Sequence, residues 1–296
     1  MLRKLMILSL LSSLFGCGGD SEPGLFSSYG YHTGKTKVWY KTSLGHSYSV
    51  REVAGADAPT FQVRKLSSKM YEQTTAEYGF DKNSVFWAGD KIEGADLSSF
   101  EYLCGQYSRD KNAVYYMAQP LTRDVAHLAI IGREFVKDGA HVYFGGSIFS
   151  DDPAHFEMVG EEGSDYYRDS RNCWYTIYPL KDADPATIRI IGRHTAADAK
   201  HVYFEMNEVV GADQQTYRVL EEGYSKDARH VYLNSEVIDG ANPATFQLLR
   251  APYSKDDQHC YNRTVALANA DPATFQLIDE FYTKDASGYI INSPLV

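Results

Sequence analysis

A small apolar residue followed at once by an aromatic one returns along the chain as Val85-Phe86, Val114-Tyr115, Val142-Tyr143, Cys173-Trp174, Val202-Tyr203, Val231-Tyr232 and Cys260-Tyr261. Each pair stands four and five residues after an Asp, and these aspartates, with one more near the end, lie at Asp81, Asp110, Asp138, Asp169, Asp198, Asp227, Asp256 and Asp285. The steps between them are 29, 28, 31, 29, 29, 29 and 29 residues, a regularity that marks a tandem repeat. Three positions before each Asp stand Tyr78, Tyr107, Phe135, Tyr166, Thr195, Tyr224, Tyr253 and Tyr282, so Thr195 alone departs from an aromatic rule. β-branched and aromatic residues favour a pleated surface, and the pair therefore predicts a short strand. Side chains alternate across a strand, which puts the small residues on one face and the aromatic ones on the other.

A second apolar segment in each copy leads into a turn, clearest at Gly55 to Phe61, Asp184 to Ile188, Asn242 to Phe246 and Asp271 to Phe275. Asp or Asn before Pro reads as a helix cap: the side-chain oxygen takes an unpaired backbone N–H, and Pro supplies the φ of the first turn. One turn of helix is expected there. The turn-closing residues, among them Phe156, Ile188 and Phe275, are followed three positions on by Val159, Ile191 and Ile278, which should face the core. The unit thus reads as strand, loop, strand, capped turn and short strand. A unit this small cannot bury its apolar faces alone, so neighbours must stack.

The fold class that follows is mainly β, a solenoid-like array of small antiparallel units of about 29 residues, each with a capped short helical turn. A closed β-propeller is the alternative, against which the common blade of roughly 40–50 residues is long. The repeat domain spans residues 37–296, with a degenerate first repeat at 37–77, full repeats over 78–281 and a truncated last copy at 282–296.

The N-terminus carries a different signal. Arg3 and Lys4 precede a short apolar run, Leu5 to Leu14, and then Leu14-Phe15-Gly16-Cys17. The run is too short to cross a bilayer and reads as a signal peptide over residues 1–16. Leu-x-Gly-Cys resembles a bacterial lipobox, which implies that Cys17 becomes the acylated first residue and that a membrane is reached through its lipid. Residues 17–36, rich in Gly and Ser, then read as lipidated Cys plus flexible tether. Gly18 after the Cys resembles lipoproteins sent on to the outer membrane, so the expected address is the cell envelope, facing the periplasm in a Gram-negative cell.

Without the signal peptide, 27 basic residues face 39 acidic ones, a formal charge of −12. That sign disfavours nucleic acid and suits a basic protein partner. Asp81-Lys82-Asn83-Ser84-Val85-Phe86-Trp87 and Asp110-Lys111-Asn112-Ala113-Val114-Tyr115-Tyr116 resemble the signature of the bacterial DKNYY repeat family. The resemblance runs over roughly residues 35–296 and implies an envelope-associated repeat protein, with no catalytic residues to carry over.

Candidate chemistry is sparse. The eight aspartates are assigned to structural turn and cap duty. His141, His201, His230 and His259 share a register, but ligand distances near 2 Å do not suit a ladder spaced by whole repeats, so no metal and no cofactor is expected. Phe86, Tyr115, Tyr143, Trp174, Tyr203, Tyr232 and Tyr261 form a candidate binding stripe if exposed, and the repeat-to-repeat core if not. Cys173 and Cys260, three repeats apart, are too distant for a disulfide and stand where other copies have Val. No nucleophile, zinc or phosphate-loop motif occurs, and an enzyme is not expected. The functional expectation is a lipid-anchored protein-binding scaffold. An immunity-type lipoprotein that neutralises a secreted toxin and a glycan-binding surface module are the alternatives.

Overall fold

Each aromatic-x-x-Asp tetrad ends one short strand and each Val-aromatic pair opens the next, so the Asp loop is a hairpin and the repeat forms a meander. The computed structural model describes residues 20–25, 27–68, 75–132, 134–161, 163–278, 282–288 and 291–292. They fall into two units, residues 1–149 and 150–296.

In the first unit a three-stranded sheet, Gly30–Thr33, Val38–Leu44 and Ser47–Glu52, is followed by four-stranded antiparallel sheets built in chain order. One of them consists of Glu101–Cys104, Tyr107–Arg109, Val114–Tyr116 and Gln119–Thr122. The second unit holds four such sheets and a closing three-stranded one whose strands are Gln276–Leu277, Tyr282–Lys284 and Ile291–Asn292. Among the described residues no sheet closes on itself. The tetrad is itself a strand, so a full sheet has four strands where the sequence pattern suggested three.

In the central hairpin a small residue faces the core ring in five copies, Gly79 opposite Phe86, Ser108 opposite Tyr115, Ala196 opposite Tyr203, Ser225 opposite Tyr232 and Ser254 opposite Tyr261, whereas Val136 faces Tyr143 and Tyr167 faces Trp174. Both faces of these strands are covered. Val85 clusters with Tyr115 of the next repeat, Cys173 with Tyr203, Val202 with Tyr232 and Val231 with Tyr261. Within each unit, then, the small face of one sheet meets the aromatic face of its successor. Each fully buried Val or Phe contributes roughly 1.5–3 kcal/mol, none of it available to a single isolated sheet.

Among the described residues, the capped helix expected in every unit is a helix once, Ala58–Thr60, where the Asp57 side chain accepts from the Thr60 amide. At Asp184, Asp213, Asn242 and Asp271 the side chain instead accepts from the amide two residues on, at 2.9–3.1 Å, and the chain makes a single turn. Five residues before the next strand hold one turn and no more, whether or not they include a Pro. Phe156, Ile188 and Phe275 are buried as expected, whereas Ile278 is exposed.

The boundary between tether and fold shifts toward the N-terminus. Asp20 accepts from the Thr36 amide (2.7 Å), the Thr36 hydroxyl (2.6 Å) and the Lys37 amide (3.2 Å). The buried Lys41 ammonium donates to the carbonyls of Gly24 (2.7 Å), Leu25 (3.0 Å) and Ser27 (2.8 Å) and lies 4.3 Å from the centre of the Tyr48 ring. The described residues before Gly30–Thr33, itself a strand of the first sheet, are therefore held against that sheet, because Lys41 takes those carbonyls in place of water. Cys17 and residues 1–16 lie outside the described residues.

Candidate functional site

The recurring aspartates are the polar groups that the repeat places most regularly. All eight are buried, between 1% and 6% exposed. The first carboxylate oxygen of Asp227 accepts from the amides of Arg229 (2.7 Å) and His230 (2.7 Å), which closes the hairpin. The same pair of bonds recurs at Asp81, Asp110, Asp138, Asp169, Asp198 and Asp256.

The second oxygen reaches out of the hairpin. Asp227 accepts there from the amide of Asp213, the cap residue of the preceding turn (2.8 Å), and from the hydroxyl of Tyr232 (2.8 Å). Asp96, Asp184, Asn242 and Asp271 donate in the same way, each 14 residues before its Asp, and Asp57 does so to Asp81 across the insertion. Asp138 and Asp169, at the irregular steps of the array, instead receive the hydroxyls of Thr122 (2.6 Å) and Ser150 (2.8 Å). Those hydroxyls in turn accept from the amides of Asp124 and Asp152 (3.1 Å each), so a hydroxyl is inserted into an otherwise identical link.

A reciprocal bond completes the clip. The amide following the Asp donates back to the turn hydroxyl: Lys82 to Thr60, Lys111 to Ser99, Ala199 to Thr187, Ala228 to Thr216 and Ala286 to Thr274, at 2.9–3.1 Å. Lys82–Asp57 and Lys111–Asp96 add ion pairs at the surface, where such pairs contribute little.

Burial pushes the Asp138 carboxyl up, but the Thr122 hydroxyl, the amides of Ala140 and His141 and the Tyr143 hydroxyl outweigh it and hold the group below its ordinary value. Burial likewise opposes, and the surrounding donors again win, at Asp198, Asp227 and Asp256. The partner phenols move the other way. Burial and the bond to Asp138 push Tyr143 up to about 12, and Tyr115, Tyr232 and Tyr261 are raised beside their own aspartates. A carboxylate accepting two amides on one oxygen and an amide with a phenol on the other has used its acceptor sites. It is an architectural clip, without capacity left for substrate or metal.

The seven residues of the candidate stripe are buried: Phe86, Tyr203, Tyr232 and Tyr261 at 0% exposure, Tyr115 at 2%, Tyr143 at 6% and Trp174 at 9%. These positions therefore form an inter-repeat core, and within each unit the aromatic face of a sheet is covered by the sheet before it. The histidines do not converge. His201, His230 and His259 each lean on the Tyr two residues on, ring centres 6.0–6.1 Å apart, and face their own Asp. Among the described residues no group of three or more His, Cys, Asp or Glu is placed to hold a metal ion. Cys104, Cys173 and Cys260 are buried and unpaired, and burial pushes their thiols up to about 11, 12 and 11.

The link from each Asp to the turn before it is what residue patterns alone did not reveal. A signal existed: Asp or Asn recurs 14 positions before Asp110, Asp138, Asp198, Asp227, Asp256 and Asp285. The family model described as the DKNYY family matches residues 31–205 and again 195–292. No curated protein and no solved structure matches the chain.

Proposed function

The chain belongs to the DKNYY family, and from that premise we propose that it is a lipid-anchored protein of the bacterial cell envelope that serves as a protein-binding scaffold. The observation that carries this reading is the contrast between a regular interior and a varied edge. Among the described residues, each repeat from Asp81 to Asp256 buries both its Asp and its core aromatic. The fourth strand of each sheet, nine and ten residues after the Asp, carries Asp90-Lys91, Gln119-Pro120, Ser147-Ile148, Tyr178-Pro179, Asn207-Glu208, Glu236-Val237 and Val265-Ala266 in successive copies. Ile148 is 60% exposed, Tyr178 52% and Val265 64%. One backbone position with unlike exposed side chains in every copy suits recognition of a particular partner, and an edge strand offers free main-chain groups besides.

The anchor rests on the Leu14-Phe15-Gly16-Cys17 motif. Absence of catalytic chemistry is part of the same proposal, since the buried carboxylates and thiols are committed to packing. With its aromatic stripe buried, the glycan-binding alternative loses the surface that motivated it.

Two measurements test the reading. Metabolic labelling with a palmitate analogue should mark the protein and should be lost in Cys17→Ser; label retained in that variant refutes anchoring through Cys17. Lipidated protein used as bait in envelope extract should recover one stoichiometric protein, whose purified form should bind at least about tenfold more weakly when Tyr178, Val237 and Val265 are changed to Ser. Recovery of no partner, or binding indifferent to those changes, refutes the scaffold role of the fourth strands. A secreted toxin as the partner would make this an immunity-type lipoprotein, the narrower form of the same reading.

A further inference from the structure

Thr195 occupies a position that the other described repeats fill with a ring: Tyr78, Tyr107, Phe135, Tyr166, Tyr224 and Tyr253, each 3% exposed or less. In the repeats on either side of it the ring crosses to the following repeat, where its hydroxyl finds a backbone carbonyl. Tyr166 donates to the carbonyl of His194, 28 residues on, at 2.9 Å, and to that of Glu205, 39 residues on, at 3.1 Å. Tyr224 donates to the carbonyl of Pro252, again 28 residues on, at 3.0 Å. Thr195 has no ring to send. By the same offsets the carbonyls left without a phenol are those of Gly223 and Asn234.

Those residues line a cleft. A cavity of about 410 Å³ opens at this place, bounded by Thr195, Phe204, Tyr217, Gly223, Tyr224 and Asn234 among others. An apolar cavity of roughly 150 Å³ is enough to take a benzene ring. Its walls include three rings, and the Gly223 carbonyl, which already accepts from the Asn234 amide at 2.8 Å, keeps a second lone pair for another donor. The His194 carbonyl shows that this geometry takes both bonds at once: it accepts from the Glu205 amide at 2.8 Å and from the Tyr166 phenol.

We propose that the cleft at Thr195 is a binding site for a phenol ring, which enters as the missing tyrosine would and donates its hydroxyl to the Gly223 carbonyl. The occupant is a tyrosine side chain of a partner protein or a free small phenol; the recognition chemistry is common to both. This goes beyond the scaffold reading and does not require the lipid anchor.

The test uses the mature chain and p-cresol, the isolated tyrosine side chain, followed by calorimetry and by chemical shifts of the Thr195, Gly223 and Asn234 amides. Saturable binding by p-cresol, with toluene binding about fivefold or more weakly for want of the hydroxyl, supports the proposal. Thr195→Tyr should fill the site from within, abolish p-cresol binding and raise the unfolding temperature, while Thr195→Val should leave binding in place. Binding of N-acetyltyrosinamide as well as p-cresol supports a tyrosine side chain as the occupant, and binding of p-cresol alone supports a free phenol. No p-cresol binding, binding that survives Thr195→Tyr, or toluene bound as tightly as p-cresol overturns the proposal. So does a Thr195→Tyr chain that fails to fold, since the slot then cannot hold the ring. If the recovered partner of the scaffold still binds the Thr195→Tyr chain while p-cresol does not, the cleft binds phenols but is not the partner's contact, and the scaffold reading stands apart from it.

Discussion

Replacement of Asp227 by Ala isolates the clip. The carboxylate accepts from the amides of Arg229 (2.7 Å), His230 (2.7 Å) and Asp213 (2.8 Å) and from the Tyr232 hydroxyl (2.8 Å), while only 5% exposed. Arg229 is exposed, so the hairpin amides can recover water when the side chain is lost. The Asp213 amide is left stranded and the fully buried Tyr232 phenol keeps only a long contact to His230 Nδ1 (3.4 Å), at about 1–3 kcal/mol apiece, or about 2–6 kcal/mol together. That is a large part of the roughly 5–15 kcal/mol that holds a typical domain. Asp227→Asn keeps one acceptor oxygen for the hairpin but turns an NH2 group toward the Asp213 amide, and should cost less, about 1–3 kcal/mol. Tyr232→Phe removes one donor and should cost about 1 kcal/mol. Urea unfolding of the mature chain gives this order, and amide hydrogen exchange gives its location: Asp213, Arg229 and His230 should lose protection, while the amide of Asn242, held by Asp256, should not. An Asp227→Ala chain within about 0.5 kcal/mol of the parent and with Asp213 still protected would refute the clip.

Three further outcomes are expected. The Asp138, Asp198, Asp227 and Asp256 carboxyls are held below their ordinary values in the folded chain, so the stability they contribute is complete above the unfolded carboxylate pKa of about 3.9 and is lost as pH falls through the folded values; thermal unfolding should be nearly flat from pH 7 to about 5 and drop steeply below about 4, and a chain equally stable at pH 3 would contradict this. A Cβ on Gly79 would sit 2.4 Å from Cζ of Phe61, so Gly79→Ala should destabilise the first unit by about 1–3 kcal/mol in urea titration, and Phe61→Leu should recover part of the loss. Cys104, Cys173 and Cys260, buried with thiols pushed up to about 11, 12 and 11, should resist a water-soluble disulfide reagent at pH 8 in the folded chain and react fully in denaturant; rapid native labelling would show that the repeats open.

How far the fold could be read from residues alone depended on the range of the interaction involved. The Val-aromatic pairs lie next to one another in the chain and obey the two-residue period of a strand, so their strands, their interval and the need to stack were all legible. Which of their two faces is exposed was not, because alternation says only that the faces differ; the answer, that neither is, comes from Val231 meeting Tyr261 and Val202 meeting Tyr232 one repeat away. A cap and a Pro are the local signs of a helix, yet at Asn242 the chain makes a single turn, closed by the Thr245 and Phe246 amides on the Asn242 carbonyl, and then enters the strand Gln247–Arg250. The described part of 17–36 departs from a free tether for a related reason. Gly and Ser at 17–36 hide two kinds of contact: Gly30–Thr33 pairs with the strand Val38–Leu44 and Tyr31 packs on Phe61, while Asp20 on Thr36 and Lys41 on three carbonyls make polar bonds across 14 to 17 positions.

Its bonds on both sides make the Asp the most regular residue of the array, while the outward strand is the least. A carboxylate that closes its own hairpin with one oxygen and grips the preceding turn with the other fixes how each repeat meets the one before it. A change there is felt on both sides, whereas a change at Tyr178 or Val265 is felt only at the surface. A stack built this way can alter what it presents to a partner, copy by copy, without renegotiating its interior. It also makes any gap in the interior informative. Where a repeat omits a core ring, as at Thr195, either the neighbours close over the space or something from outside is accommodated in it. The cavity that persists beside Thr195, with Gly223 and Asn234 at its edge, is the sign that the neighbours did not close.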